Sequence, residues 1–170
     1  MAERILVTGF GAFRDIGENP SGWLSTQLGG EVLEVSFAAV DAFLAELDED
    51  TFDIWLMMGV HGSAERMHLE TVGRNFVGAG ADVRGVVAGP GAIDVSYPPA
   101  LSGTLFEEGL EGENACLTVD AGAYLCNYLY FQGLARFPDK RVGFLHVPLV
   151  EVMGFEDQLD EVLRILNDMS

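Results

Sequence analysis

Short apolar runs alternate with amphipathic stretches along the chain. Residues 4–8 form a brief apolar run closed by Gly9, the pattern of a strand buried in a parallel sheet. The spacing predicts a short helix over 23–28 and a strand over 31–37 carrying Val32, Leu33, Val35 and Phe37. It predicts a helix over 38–47, where Val40, Phe43, Leu44 and Leu47 recur three or four apart. Residues 54–59 read as a second buried strand stopped by Gly59, and 68–75 as another strand. The glycine-rich stretch 78–91 reads as irregular. A helix over 98–108, a third short apolar strand over 115–118, a helix over 124–137 and a fourth strand over 142–147 come next. The clearest helix is 155–169. Phe155, Leu159, Val162, Leu163, Leu166 and Met169 mark one face, and Glu156, Asp157, Asp160 and Glu161 fill its first half, where the helix dipole favours negative charge.

Alternating strands and helices predict an α/β sandwich on a mostly parallel sheet. Sites in such sheets gather at the carboxyl ends of strands. That directs attention to 9–19, 59–70, 120–127 and the residues from His146 onward. The 170 residues contain no repeat or Ser/Pro-rich linker and are 49% apolar, which suits one domain over 1–170.

Charge and cysteine content narrow the partners. Nine Lys and Arg against 27 Asp and Glu give a formal charge of −18, which leaves no basic footprint for nucleic acid and repels acidic lipid. The same charge predicts repulsion of acidic ligands at low salt. The longest strongly apolar run, Ile54 to Val60, is far short of the roughly 20 residues of a spanning helix. The N-terminus lacks the apolar h-region of a signal peptide, and Cys116 and Cys126 form no CxxC pair, so a cytoplasmic location is expected.

Four features carry possible chemistry. Gly9-Phe10-Gly11 begins like a dinucleotide fingerprint, but the third glycine position is Arg14, so the match fails. Phe10 and Phe13 in that turn either tuck into the core or wall an apolar slot for a flat ligand. Cys126 lies near a helix start after a glycine-containing turn, where the dipole favours thiolate, whereas Cys116 on an apolar strand reads as structural. His146 lies near the end of a strand 20 residues later, enough for a helix and a return strand. Two neighbouring parallel strands would bring it to Cys126 as nucleophile and base. Glu70 could orient such a histidine or simply be solvated. His61, His68 and Glu70 could also be read as metal ligands, but no HExxH-type spacing is present and no metal is expected. No Gly-x-Ser-x-Gly elbow exists for a serine hydrolase.

Three blocks in this order resemble one known family. The first is Ile5-Leu6-Val7-Thr8-Gly9-Phe10-Gly11-Ala12-Phe13 with Asn19-Pro20-Ser21. The second is Gly59-x-x-Gly62 with Glu70-x-Val72-x-x-Asn75. The third is Ala121-Gly122-Ala123-Tyr124-Leu125-Cys126-Asn127 followed by His146-Val147-Pro148. Together they are similar to pyroglutamyl peptidase I, or pyrrolidone-carboxylate peptidase, a family of cysteine peptidases. The resemblance implies a Cys126–His146–Glu70 triad that removes N-terminal pyroglutamate from peptides. It places Phe10, Phe13, Asn19 and Leu125 at the substrate, with the two phenylalanines holding the flat lactam ring. It further implies a single three-layer α/β/α domain with a twisted, mostly parallel mixed sheet, often assembled into homo-oligomers, and no cofactor.

The chain departs from the family pattern in places. Gly62-Ser63-Ala64-Glu65-Arg66 stands where a Gly-Gly-Arg stretch is usual, and 76–84 replaces an Asp-Ala-Arg-Ile-Pro-Asp-Asn type segment, with Asp82 as its candidate acidic residue. Asp120 stands at a usually small polar position and would raise the Cys126 pKa if close and dry. These departures leave open an amidase for another small lactam or amide, or a binding protein on the same fold.

Overall fold

The computed structural model describes residues 2–169. In chain order the elements are β1 (Ile5–Phe10), α1 (Pro20–Gln27), β2 (Glu31–Leu33), α2 (Phe37–Glu46), β3 (Ile54–Val60), β4 (Met67–Glu70), β5 (Val72–Arg74), β6 (Ala100–Ser102), β7 (Ala115–Thr118), α3 (Leu125–Arg136), β8 (Arg141–Val147) and α4 (Phe155–Asp168). Six strands form one sheet in the order β2-β1-β3-β8-β4-β7. The strands β2, β1, β3 and β8 run parallel, β4 runs antiparallel to β8, and β7 runs parallel to β4. A separate antiparallel ribbon joins β5 and β6.

Alternation along the strands builds two apolar layers. On one face Leu56 and Met58 of β3, with Leu145 and Val147 of β8, meet Leu24 of α1 and Val162 and Ile165 of α4. On the other, Trp55 and Met57 of β3, with Val142 and Phe144 of β8, meet Val40 and Leu44 of α2 and Leu129, Tyr130 and Leu134 of α3. The result is the expected three-layer α/β/α arrangement on a mostly parallel mixed sheet. Each such side chain contributes about 1.5–3 kcal/mol by leaving water. Trp55 also satisfies its one polar atom, donating from Nε1 to the Thr8 hydroxyl at 3.0 Å.

Four elements differ from their sequence pattern. The strand expected over 31–37 ends at Leu33, because Ser36 caps α2: its hydroxyl accepts the Ala39 N–H at 3.1 Å, and Phe37 is already helical. The strand expected over 68–75 is two strands in different sheets, broken at Thr71. The helix expected over 98–108 does not form. Pro98 and Pro99 lack N–H donors, Ala100–Ser102 pairs with β5 instead, and Leu105 and Phe106 pack over Gly143. On α4 the buried face is Gln158, Glu161, Val162 and Ile165, whereas Leu163 is 47% exposed. Gln158 is half satisfied in burial: its Nε2 donates to the carbonyls of Pro148 and Met153, while its Oε1 has no partner among the described residues. No helix among the described residues is long and apolar enough to cross a membrane.

Candidate active site

The central strands set the floor of the site. Pairing of β3 with β8 places Gly59 beside His146, and pairing of β4 with β8 places His68 on its other side. His146 and Phe144 alternate onto the face covered by α3, as do His68 and Glu70 on β4. Glu70 is fully buried, and its Oε2 lies 2.7 Å from His146 Nδ1. The Thr118 hydroxyl donates to the other carboxylate oxygen, and Tyr130 donates its hydroxyl proton to the Glu70 backbone carbonyl at 2.8 Å. Both oxygens of this carboxylate are therefore engaged before any ligand arrives.

Cys126 reaches the same floor by a different route from the one its spacing suggests. The strand before it, β7, is not a neighbour of β8: β4 lies between them, and β7 runs antiparallel to β8. The loop 119–124 turns the chain back, with Gly122 at φ +86° in the left-handed region and its N–H donated to Asp120 at 2.9 Å. Helix α3 then crosses the sheet and sets Cys126 in its first turn, directly over Gly59. A Cβ at position 59 would stand 2.5 Å from the Cys126 sulfur and 2.9 Å from the Phe144 ring. Glycine at that position is what allows the thiol to approach His146.

The electrostatics result from this packing. Burial works against the charged form of His146, but hydrogen bonding and charge from Cys126, and then from Glu70, outweigh it and raise the pKa to about 9. The arrangement favours imidazolium between a sulfur and a carboxylate. No side-chain oxygen caps α3 at Tyr124. The first turn of α3, which carries Cys126, thus has no capping side chain competing for its N–H groups.

Two hollows meet at the sulfur. An open cleft of about 670 Å³ is lined by Phe13, Arg14, His61, Tyr124, Cys126 and His146, among others. A narrow slot of about 20 Å³ beside it is walled by Phe10, Phe13, Asn19, Val35, Tyr124, Leu125 and Cys126, together with Val60. The structure thus brings Phe10, Phe13, Asn19 and Leu125 together at Cys126. Both readings of the aromatics hold in part, because Phe10 also belongs to the core. Asn19 spends its amide on the turn: Oδ1 accepts from the Ser21 N–H and hydroxyl, and Nδ2 donates to the Gly11 carbonyl.

The residues marked as departures have definite places. Asp120 is exposed and paired with Arg74, so it is neither dry nor a free charge at the sulfur. Asp82 accepts the backbone N–H groups of Phe37, Arg84 and Val86, each at 2.9 Å. Burial opposes its charge, but these three donors prevail and lower its pKa. It pins the 78–91 segment to the start of α2. His61 folds in from its loop, with ring centroids 5.1 Å from His68 and 5.4 Å from His146. Among the described residues, no group of three or more His, Cys, Asp or Glu side chains is placed to hold a metal ion.

Some residues that build the site had no role read for them in the sequence. Thr118 ends an apolar strand without any motif. Asn127, wholly buried, clamps 74–76 to α3 by accepting the Arg74 N–H and donating to the carbonyls of Arg74 and Phe76. Asn75 gathers the excursion before β6, accepting from Ile93 and Asp94 and donating to the carbonyls of Asp94, Tyr97 and Pro98.

Comparison with known proteins gives a consistent picture. The sequence profile of the family described as pyroglutamyl peptidase matches residues 3–160. The chain is 30% identical to a pyrrolidone-carboxylate peptidase of Staphylococcus aureus (strain JH9), covering 90% of this chain and 83% of that one. It is 29% identical to pyroglutamyl-peptidase 1 of Rattus norvegicus, covering 95% and 87%. Among solved structures, a glutamate-to-isoleucine variant of pyrrolidone carboxyl peptidase from Pyrococcus furiosus superposes with a TM-score of 0.88 at 25% identity, covering 96% of each chain. The enzyme from Thermococcus litoralis shares the fold with a TM-score of 0.89 at 22% identity, covering 98% and 92%.

Proposed function

The chain belongs to the pyroglutamyl peptidase family, a family of cysteine peptidases that remove N-terminal pyroglutamate, and we propose that it does so with Cys126 as nucleophile, His146 as acid and base, and Glu70 as the group that positions His146. The observation that carries this assignment is the juxtaposition of half-buried Cys126 with the buried His146–Glu70 pair, set at the junction of an aromatic slot and an open cleft.

The geometry supports a two-stage reaction. The pyroglutamyl ring is flat and uncharged and lacks a free α-amine. Phe10 and Phe13 cover its faces in the slot, while the remaining peptide lies in the cleft. The Cys126 thiolate attacks the pyroglutamyl carbonyl carbon, and the carbonyl electrons move to oxygen. First-turn N–H groups of α3 receive that oxyanion. His146, held at Nδ1 by Glu70, gives its other proton to the leaving nitrogen as the C–N bond breaks. The product is a Cys126 thioester and a shortened peptide. Neutral His146 then takes a proton from water, hydroxide attacks the thioester, and free pyroglutamate leaves as the thiolate re-forms.

Substrate class is tested with three fluorogenic amides: pyroglutamyl, glutamyl and prolyl. Release from the pyroglutamyl amide alone is expected, because the slot offers no partner for a charged α-amine or for the glutamyl carboxylate. Equal or faster release from the other two would overturn the assignment.

A further inference from the structure

Arg14 occupies an unusual position for a cation of this chain. The protein has 27 acidic residues and only nine Lys and Arg. Five arginines of the described structure pair with carboxylates: Arg4, Arg74, Arg84, Arg141 and Arg164. Arg14 has no carboxylate partner among the described residues. Its guanidinium instead lies over two rings, 5.8 Å from the centroid of Phe13 and 5.3 Å from that of Tyr124. The Tyr124 ring is itself fixed, since its hydroxyl donates to the Ala81 carbonyl at 2.8 Å.

Two further observations place this cation at the reaction. Arg14 is the one Lys or Arg among the described residues lining the cleft that holds Cys126 and His146. The only carboxylate among the described residues of that lining, Asp120, is taken by Arg74. The Arg14 backbone is also strained. At φ +52° it is the one non-glycine residue of the described chain in the left-handed region, a conformation costly for a residue that carries a Cβ and kept where surroundings impose it. The side chain lies along the aromatic wall of the cleft, where its five N–H donors remain available to an incoming acceptor.

We propose that Arg14 is a specificity-determining residue that receives a carboxylate carried close behind the pyroglutamyl residue, the C-terminal carboxylate of a pyroglutamyl dipeptide. The inference rests on the proposed function, because the cleft must hold the leaving side of the scissile bond. It also limits the expectation drawn from net charge. Repulsion from surface carboxylates is screened over a Debye length of about 8 Å at physiological ionic strength, whereas a guanidinium on the cleft wall acts at contact range.

The test compares pyroglutamyl-alanine with pyroglutamyl-alaninamide at physiological ionic strength, in wild type, Arg14→Gln and Arg14→Gly. Wild type is expected to favour the free acid by about three- to tenfold in kcat/KM, the scale of one partly exposed ion pair, and to do so through KM. Both variants are expected to bring the ratio to about one. Arg14→Gly also relieves the backbone strain, so its loss of preference is not a loss of folding. The ratio is internal to each variant, so a general fall in activity does not mimic the effect. Equal cleavage of the two compounds by wild type, or a preference that survives in both variants, would overturn the assignment of Arg14. Failure of wild type to cleave either would overturn the proposed function and this inference with it.

Discussion

The Thr118 hydroxyl holds the one oxygen of Glu70 that does not face His146. Two strands, β4 and β7, thereby fix one carboxylate in a single rotation. Replacing Thr118 by Val removes the donor and leaves a buried carboxylate oxygen unpaired, a loss of about 1–3 kcal/mol for a buried acceptor. Freed to rotate, Glu70 orients the imidazole less well. Thr118→Val is expected to lower kcat by about tenfold with little change in KM, and Thr118→Ser to restore most of it. Steady-state kinetics on a pyroglutamyl amide checks this, and wild-type kcat in the valine variant would contradict it.

The raised pKa of His146 fixes an alkaline limit. Burial lowers that pKa, but Cys126 and Glu70 lift it from the ordinary 6.5 to about 9. A group whose pKa rises on folding stabilises the fold fully below its unfolded value. That contribution is lost as pH climbs from about 6.5 through 9. The imidazolium that acts as the acid in the proposed reaction is lost over the same alkaline range, so kcat/KM is expected to fall with a midpoint near 9. In Glu70→Gln one of the groups holding the proton is gone, and the midpoint should move to lower pH as activity drops. An unchanged midpoint in that variant would show that Glu70 does not govern the imidazole.

Gly59 is a steric requirement for the seat of the Cys126 sulfur. Adding a single methyl in Gly59→Ala would drive a carbon to 2.5 Å from the Cys126 sulfur. Overpacking of this kind costs about 1–3 kcal/mol and shifts the neighbours that can move. The expected result is a folded protein, somewhat less stable to heat, whose alkylation by iodoacetamide at Cys126 is slowed and whose peptidase activity falls by about a hundredfold or more. Wild-type activity in Gly59→Ala would contradict the close approach.

The slot beside Cys126 must widen to act. At about 20 Å³ it has room for about one water and not for a five-membered ring. Its half-buried wall is Phe13, on the loop between β1 and α1, whereas Phe10 is buried in the core. Phe13→Ala opens the slot but removes one face of the ring's enclosure. KM for a pyroglutamyl amide is expected to rise about tenfold, with a smaller change in kcat. A fall in KM would mean that Phe13 only obstructs the slot.

Much of the architecture was legible because each helix and each buried strand has its own period. The strands at 54–60 and 141–147 and the helices at 37–46 and 155–168 announce themselves through local spacing. The hidden elements depend on distant partners. Residues 100–102 become a strand only because β5 offers an edge, and the break at Thr71 sends β4 and β5 to different sheets. Glu161 lies on the buried face of α4 paired with Arg164, and Gln158 lies there donating from Nε2 to two carbonyls, which no hydrophobic pattern records.

The candidate site divides in the same way. Cys126, His146 and Glu70 are chemistry-bearing residues at element ends, and the structure brings all three together. Their route to one another, through an antiparallel β4 inserted between β8 and β7, could not be read from the 20-residue spacing. Thr118 and Gly59 matter through single contacts with residues 48 and 67 positions away. Neither is marked by composition or period.

The most direct measurement monitors release of a fluorescent amine from a pyroglutamyl amide by wild type and by Cys126→Ala, each verified as folded. Steady release by wild type is expected, with a loss of at least about three orders of magnitude in the variant. Release that persists in Cys126→Ala would contradict Cys126 as the nucleophile, and no release from folded wild type would contradict the activity itself.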